Sequence, residues 1–124
     1  MSEDRLWNYL AHIRRAASDA CTFVEGMSKA DFMADKRTQN AVVMSLIVIG
    51  ETATNVMDRY PEFAAQHPEI FWRDMRGMRN RIAHGYFDIE FDVVWDTTQS
   101  ALSALLEHLA VIRENGEGDE AIVP

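Results

Sequence analysis

One cysteine in 124 residues rules out an internal disulfide, so packing alone must hold the fold, and a reducing compartment is its natural setting. Cys21 falls on an apolar helical stripe and reads as a small core-facing residue rather than a nucleophile. Three prolines and six glycines are too few for a fibrous or disordered chain. Long apolar runs are missing too. The longest, Ala41 to Gly50, holds ten residues including Ser45, short of the ~20 that span a bilayer, so no membrane association is expected. The amino terminus, Met1-Ser2-Glu3-Asp4-Arg5, is acidic where a secretory signal is basic, and a cytoplasmic location is expected.

Positive charge is scarce, with twelve Lys and Arg against twenty Asp and Glu and a net charge of −8. That balance excludes a generic nucleic-acid coat protein. It is uneven, however. Between Trp72 and Phe87 stand Arg73, Arg76, Arg79 and Arg81 against Asp74 alone, a local +3 that leaves −11 for the rest. Such an island can hold phosphate at one place, with Arg73, Arg76 and Arg81 as candidate RNA or phosphate contacts. A solvated helix face is the plainer reading of the same charges. His12, His67, His84 and His108 lack cysteine partners or ligand spacing, so no metal or cofactor is expected. The chain also has no Gly-rich phosphate loop and no Ser/His/Asp grouping.

What the sequence does have is helical periodicity. Leu6, Leu10, Ile13, Ala17, Ala20, Val24 and Met27 step by threes and fours, marking a helix from about residue 4 to 27. Ser28-Lys29-Ala30-Asp31 has the pattern of a capping box. A second long helix covers about 36 to 60 and is apolar almost all round in its first half. Either it is the central helix of a bundle or its surplus face meets a second copy of the chain, giving a homodimer. A third helix is expected from Pro68 to about Ala83, with Phe71, Met75, Met78 and Ile82 inward and Gly85 as its stop. A fourth, capped by Asp88 or Asp92, carries Phe91, Val94, Trp95, Thr98, Ala101, Leu102, Leu105, Leu109 and Ile112 and ends near Asn115-Gly116. The expected fold is all-α, an antiparallel bundle of four main helices plus one or two short ones, with one domain over 1–116 and a flexible acidic tail over 117–124.

The end of the third helix holds the most chemistry. Arg carries a permanent charge and a fork of donors matched to phosphate oxygens, and His exchanges protons near neutral pH. Five residues of continuous helix would set Arg79 and His84 about 140° apart. If the helix stopped at Ala83 and Gly85 turned the chain at positive φ, His84 would swing back toward Arg79. An Arg/His pair of that kind suffices to cleave RNA, whose 2′-hydroxyl supplies the nucleophile.

The run Trp72 to Ile89, which contains Arg79-Asn80-Arg81-Ile82-Ala83-His84-Gly85-Tyr86, together with Asp92-Val93-Val94-Trp95, closely resembles the HepT toxins of the HEPN ribonuclease group. Ile49-Gly50-Glu51 resembles that family's second helix, and the likeness extends over roughly residues 4 to 113. The resemblance implies a HEPN-like dimer and a metal-independent endoribonuclease acting on tRNA or mRNA, the toxin of a type VII-like toxin–antitoxin system. It implies that Arg79 polarises the scissile phosphate, that His84 is acid or base, and that Asn80 positions one or the other. It further implies a minimal nucleotidyltransferase antitoxin, MntA-like, that inactivates the toxin by AMPylation of Tyr86. Bulky anionic phosphates two residues from His84 would repel RNA. Glu51 is a candidate orienter of an arginine on the third helix, or else a solvated carboxylate. Two other readings remain open: a non-catalytic helical module that docks a nucleotidyltransferase, and a nucleotide-binding regulator.

Overall fold

The computed structural model describes residues 2–115, and among them there is no strand. The tail expected over 117–124 lies outside the described residues. The chain forms α1 (Ser2–Phe23), α2 (Lys29–Met33), α3 (Lys36–Arg59), α4 (Pro61–Gln66), α5 (Trp72–His84), α6 (Phe91–Asp96) and α7 (Leu102–Asn115). A π-helical turn, Thr97–Ala101, joins α6 to α7, so these act as one long helix. Four long helices and the short α2 and α4 make the expected all-α bundle. α3 lies between α1 and α5, and α7 closes against α1.

Local chemistry explains the boundaries. α1 ends at Phe23, before Gly26 takes φ +79°, a left-handed conformation open to a residue without Cβ. The capping box forms as expected: Asp31 N–H donates to Ser28 Oγ at 3.1 Å, and Ser28 N–H donates to Asp31 Oδ2 at 3.0 Å. Asp35 caps α3, accepting the Thr38 backbone N–H at 3.1 Å and the Thr38 hydroxyl at 2.8 Å. The buried Gln39 amide then ties α3 to α2, donating to the Phe32 and Met33 carbonyls at 2.9 and 3.0 Å.

The core runs between α1, α3 and α7, with Ile13, Ala17, Val42, Ile49 and Val56 almost fully enclosed. Aromatic side chains close both ends. Phe32 is fully buried against Trp95 and Phe91, with ring centroids 5.4 and 6.4 Å away. At the other end Phe63 packs on Trp7 and Trp72, each at 6.2 Å. Truncating a ring such as Phe32 would cost about 3–5 kcal/mol. Cys21 is half-buried against the core, and burial pushes its thiol pKa up, as suits an inert packing residue. α3 is long and apolar enough to cross a bilayer by length and composition alone, but half of its apolar stretch is buried inside the bundle.

Three expectations are corrected. α5 begins at Trp72, not Pro68: Pro68 occupies the second position of a turn closed by Ile70 N–H to the His67 carbonyl at 3.2 Å. That shift leaves Phe71 exposed at 59% and puts Trp72 inward, its indole N–H donating to the His67 carbonyl at 3.1 Å. Neither Asp88 nor Asp92 caps the last long helix. Glu90 stands at that position without a side-chain cap bond, and Asp92 instead pairs with Lys29 at 3.4 Å. The π turn is the third surprise. Leu102 N–H reaches back five residues to the Thr97 carbonyl. Thr97, Thr98 and Ser100 hydroxyls donate to carbonyls of the turn before them, at 2.7 to 3.1 Å. The extra residue keeps Trp95 and Thr98 buried on one side and Leu102 and Leu105 on the other, while Ala101 turns outward.

Candidate active site

The site is built where α5 crosses α3. Gly50, mid-helix in α3, is buried against α5. A Cβ there would run into Arg79 Cβ and come within 2.6 Å of the Met75 carbonyl oxygen. The absence of a side chain is therefore what allows the two helices to approach closely at Arg79. That contact explains a glycine in a helix interior, where it costs about 1 kcal/mol relative to alanine.

α3 also grips the guanidinium itself. Arg79 Nη1 donates to Glu51 Oε1 at 2.6 Å, and Nη2 reaches the Thr54 hydroxyl at 3.4 Å. The Arg79 side chain is 23% exposed and that of Glu51 60% exposed. Nε is buried with no acceptor among the described residues. Of the five donors of a guanidinium, one N–H on each terminal nitrogen remains for an incoming anion. Gly50, Glu51 and Thr54 are thus a cradle for one arginine. Of the three, only Glu51 is legible from the sequence as an orienter. Thr54 follows Glu51 by one helical turn, the signal that would have revealed it.

The rest of the motif is open to solvent. α5 continues through His84, and Gly85 caps it at φ −120° with its N–H on the Arg81 carbonyl at 2.9 Å. The expected release at Ala83, with a left-handed glycine swinging His84 back, is therefore corrected. With the helix unbroken, Arg79 and His84 point about 140° apart. His84 is exposed and makes no hydrogen bond or ion pair to a described residue. Asn80 and Arg73 are exposed on the outer side of α5, and Arg76 is half-buried. Arg73, Gly77, Asn80 and His84 follow one another at helical spacing, so that strip carries both the basic and the histidine chemistry. Arg81 lies apart from it and pairs with Glu90 at 3.6 Å, both well exposed. Tyr86 opens a 3₁₀ turn, Tyr86–Asp88, held by Asp88 N–H to the Gly85 carbonyl at 2.8 Å. The Tyr86 side chain lies outside the described residues. No cluster of three His, Cys, Asp or Glu side chains that could hold a metal occurs among the described residues.

Residues 13–112 match the family model described as "HepT-like: Ribonuclease HepT-like". The chain belongs to the HepT-like family. Among its relatives, the Thermococcus cleftensis protein named "Probable ribonuclease HepT" is 36% identical over 98 residues, covering 79% of this chain and 86% of its own. The Methanocaldococcus jannaschii protein named "Putative RNase MJ0127" is 30% identical over 112 residues, covering 90% of each chain. No solved structure matches. The HepT-like assignment covers α1 from Ile13 to the last turns of α7, so the cradle, the motif and the loop after it all lie inside the family region.

Proposed function

We propose that this HepT-like chain is a metal-independent endoribonuclease, cytoplasmic, acting on tRNA or mRNA as the toxin half of a type VII-like toxin–antitoxin pair. The observation that carries the reading is the Arg79 cradle. A surface arginine with no task does not need a glycine cleared from the neighbouring helix and two acceptors to hold it. The two remaining terminal N–H groups bind non-bridging oxygens of the scissile phosphate and oppose the charge that builds in the transition state. His84 takes the proton of the 2′-hydroxyl. The O2′–P bond forms, the P–O5′ bond breaks, and the leaving 5′-oxygen takes a proton from an acid on the opposite side. The products are a 2′,3′-cyclic phosphate and a 5′-hydroxyl. Asn80, one turn before His84, steadies the phosphate or the imidazole, while Arg73 and Arg76 hold the flanking strand.

The angle between Arg79 and His84 supports a site shared by two chains. One uninterrupted helix does not bring side chains 140° apart onto the same phosphate. Met44 is 60% exposed and Val48 37% exposed, on the strip of α3 that continues into Glu51. A second copy packed on that strip sets its His84 beside the Arg79 of the first, with two-fold symmetry making two equal half-sites. Regulation fits the same place. A nucleotidyltransferase antitoxin would hold ATP, the Tyr86 phenol oxygen would attack the α-phosphorus, and pyrophosphate would leave. The AMP on Tyr86 adds negative charge two residues from His84 and repels RNA.

Purified protein in EDTA should cleave RNA to ends with 2′,3′-cyclic phosphate. A requirement for Mg²⁺ would sink the metal-free scheme. Co-expression with a neighbouring nucleotidyltransferase should add AMP mass increments to the wild type and none to Tyr86→Phe. Equal increments in both would remove Tyr86 from the regulation.

A further inference from the structure

A cavity of about 190 Å³ opens between α3, α5 and α7. Leu46 and Ile49 of α3, Met75 and Met78 of α5, and Leu102 and Leu105 of α7 wall it. Core side chains form its floor, but its mouth is charged. There the Glu69 and Asp74 carboxylates stand with the His108 imidazole, and no lysine or arginine lines it among the described residues. Glu69 pairs with His67 Nδ1 at 3.1 Å, yet its side chain stays 38% exposed. Asp74 is exposed and makes no hydrogen bond or ion pair to a described residue. An apolar hollow of ~150 Å³ holds a benzene, so this one has room for a single leucine or phenylalanine side chain. Apolar surface also continues past the mouth. Phe71, 59% exposed, and Ala101, set outward by the π turn, both border it. A small molecule that only filled the cavity would leave both in water, whereas a protein segment covers them as it seats its anchor side chain. The two carboxylates fix the sign of that segment's charge, since they attract a guanidinium or ammonium and repel another carboxylate.

We propose that this cavity docks a segment of a partner protein, in which a leucine or phenylalanine fills the hollow and a neighbouring lysine or arginine lies on Glu69 and Asp74. The chain's net charge of −8 draws a basic partner toward it at longer range. The site does not depend on the ribonuclease reading. Met75 and His84 are nine residues apart on α5, about 180° around the helix, so a docked segment leaves the His84 strip uncovered. It does bear on the cradle, because Met75 carries the carbonyl that faces Gly50, and Met78 directly precedes Arg79.

The test titrates the full chain, isotope-labelled at its methionine methyls, with three capped dipeptides: acetyl-Phe-Arg-amide, acetyl-Phe-Gln-amide and acetyl-Phe-Glu-amide. The arginine peptide should shift the Met75 and Met78 methyl signals, assigned with Met75→Leu and Met78→Leu, with a Kd on the order of 1 mM, as a single anchor side chain gives. The glutamine peptide should bind about threefold to tenfold more weakly, the size of one or two half-exposed ion pairs, and the glutamate peptide more weakly still. Glu69→Gln combined with Asp74→Asn should remove that order while leaving the apolar anchor in place. Ala101→Arg, at an exposed position, puts the chain's own cation over the mouth and should abolish binding. Equal affinity of the wild type for the arginine and glutamate peptides overturns the proposal, as do shifts that miss Met75 and Met78. So does the absence of any shift at about 10 mM arginine peptide, well above the expected Kd. A change in sedimentation in Ala101→Arg overturns it differently, by making this face a contact between copies of the chain.

Discussion

Arg79 and His84 sit five residues apart on one helix and are treated in opposite ways by the fold. Arg79 is gripped from behind by Gly50, Glu51 and Thr54 of α3 and is mostly covered. His84 ends α5 in solvent, with no hydrogen bond to any described residue. The difference suits what the proposed mechanism asks of each. A group that binds the phosphate gains from being fixed before the substrate arrives, because no reorganisation is then needed as charge develops. A group that moves a proton must face the reacting atoms, and the unbroken helix turns His84 about 140° away from Arg79. The fixed half is complete within one chain. On the proposed reading, a second copy of the chain completes the open half.

The largest effect that bears on this contrast is loss of either group. His84→Ala should slow RNA cleavage by on the order of 10²–10⁴-fold, and Arg79→Lys, which cannot serve Glu51, Thr54 and a phosphate together, by about 10²–10³-fold. Mixing the inactive Arg79→Ala and His84→Ala proteins should then restore roughly a quarter of wild-type activity, since half of the randomly re-formed two-fold pairs keep one intact shared site. An inert mixture, with exchange shown by mass, would mean that each chain carries its own complete site and that the contrast between the two halves misleads.

Gly50 tests the fixed half next. In Gly50→Val, side-chain atoms meet the Arg79 Cβ and the Met75 backbone rather than a flexible tip, so α3 and α5 must separate. The expected loss is about 1–3 kcal/mol of stability by denaturant titration, the usual cost of overpacking. Gly50→Ala should lose less, because alanine regains about 1 kcal/mol of helix propensity. Both should lower kcat at temperatures where the protein remains folded. An unchanged kcat in a folded Gly50→Ala would show that the close crossing serves packing alone.

Glu51→Gln keeps an acceptor but removes the charge from a partner that is mostly in water. Stability should move by less than about 1 kcal/mol. kcat should fall on the order of tenfold as the guanidinium loosens, with KM less affected. A rise in activity would reverse the assignment: Glu51 would then be holding Arg79 away from the phosphate.

How far each half could be read in advance differs for the same reason. Periodicity and short-range capping are local, so the four long helices, the Ser28–Asp31 box and the bounds of α3 follow from the residues alone. The start of α5 does not, because a proline opening a helix and a proline inside a turn have the same φ, and only the burial of Ile70 and Trp72 decides between them. The π turn depends on three hydroxyls competing for carbonyls, which a regular period hides. In the site, residue types announce Arg79 and His84. The cradle is a meeting of residues 25 to 29 positions apart, and nothing in the spacing along one helix predicts what the next helix places opposite. Gly85 misleads for a further reason. A glycine permits a left-handed turn without requiring one, and here it takes φ −120°.

The smallest effect concerns whether α3 holds Arg79 as a rigid bar. Its first turn rests on Asp35, whose carboxyl is held below the ordinary aspartate range first by the Thr38 backbone N–H and then by the Thr38 hydroxyl. A carboxylate with a lowered folded value adds stability that is fully present above the ordinary aspartate pKa of about 3.9 and is lost as the pH falls through the lowered value. Asp35→Ala should therefore melt below the wild type at pH 7, and the gap in Tm should close as the solution is acidified through that window. A gap that stays constant with pH would mean that the cap acts without its charge. Because Asp35 lies at the far end of α3 from Glu51 and Thr54, its loss should leave cleavage at pH 7 intact while the cradle stays folded. If Asp35→Ala instead slows cleavage as much as Glu51→Gln does, fraying at the start of α3 reaches Arg79, and the fixed half of the motif is held by the whole helix rather than by three residues at the crossing.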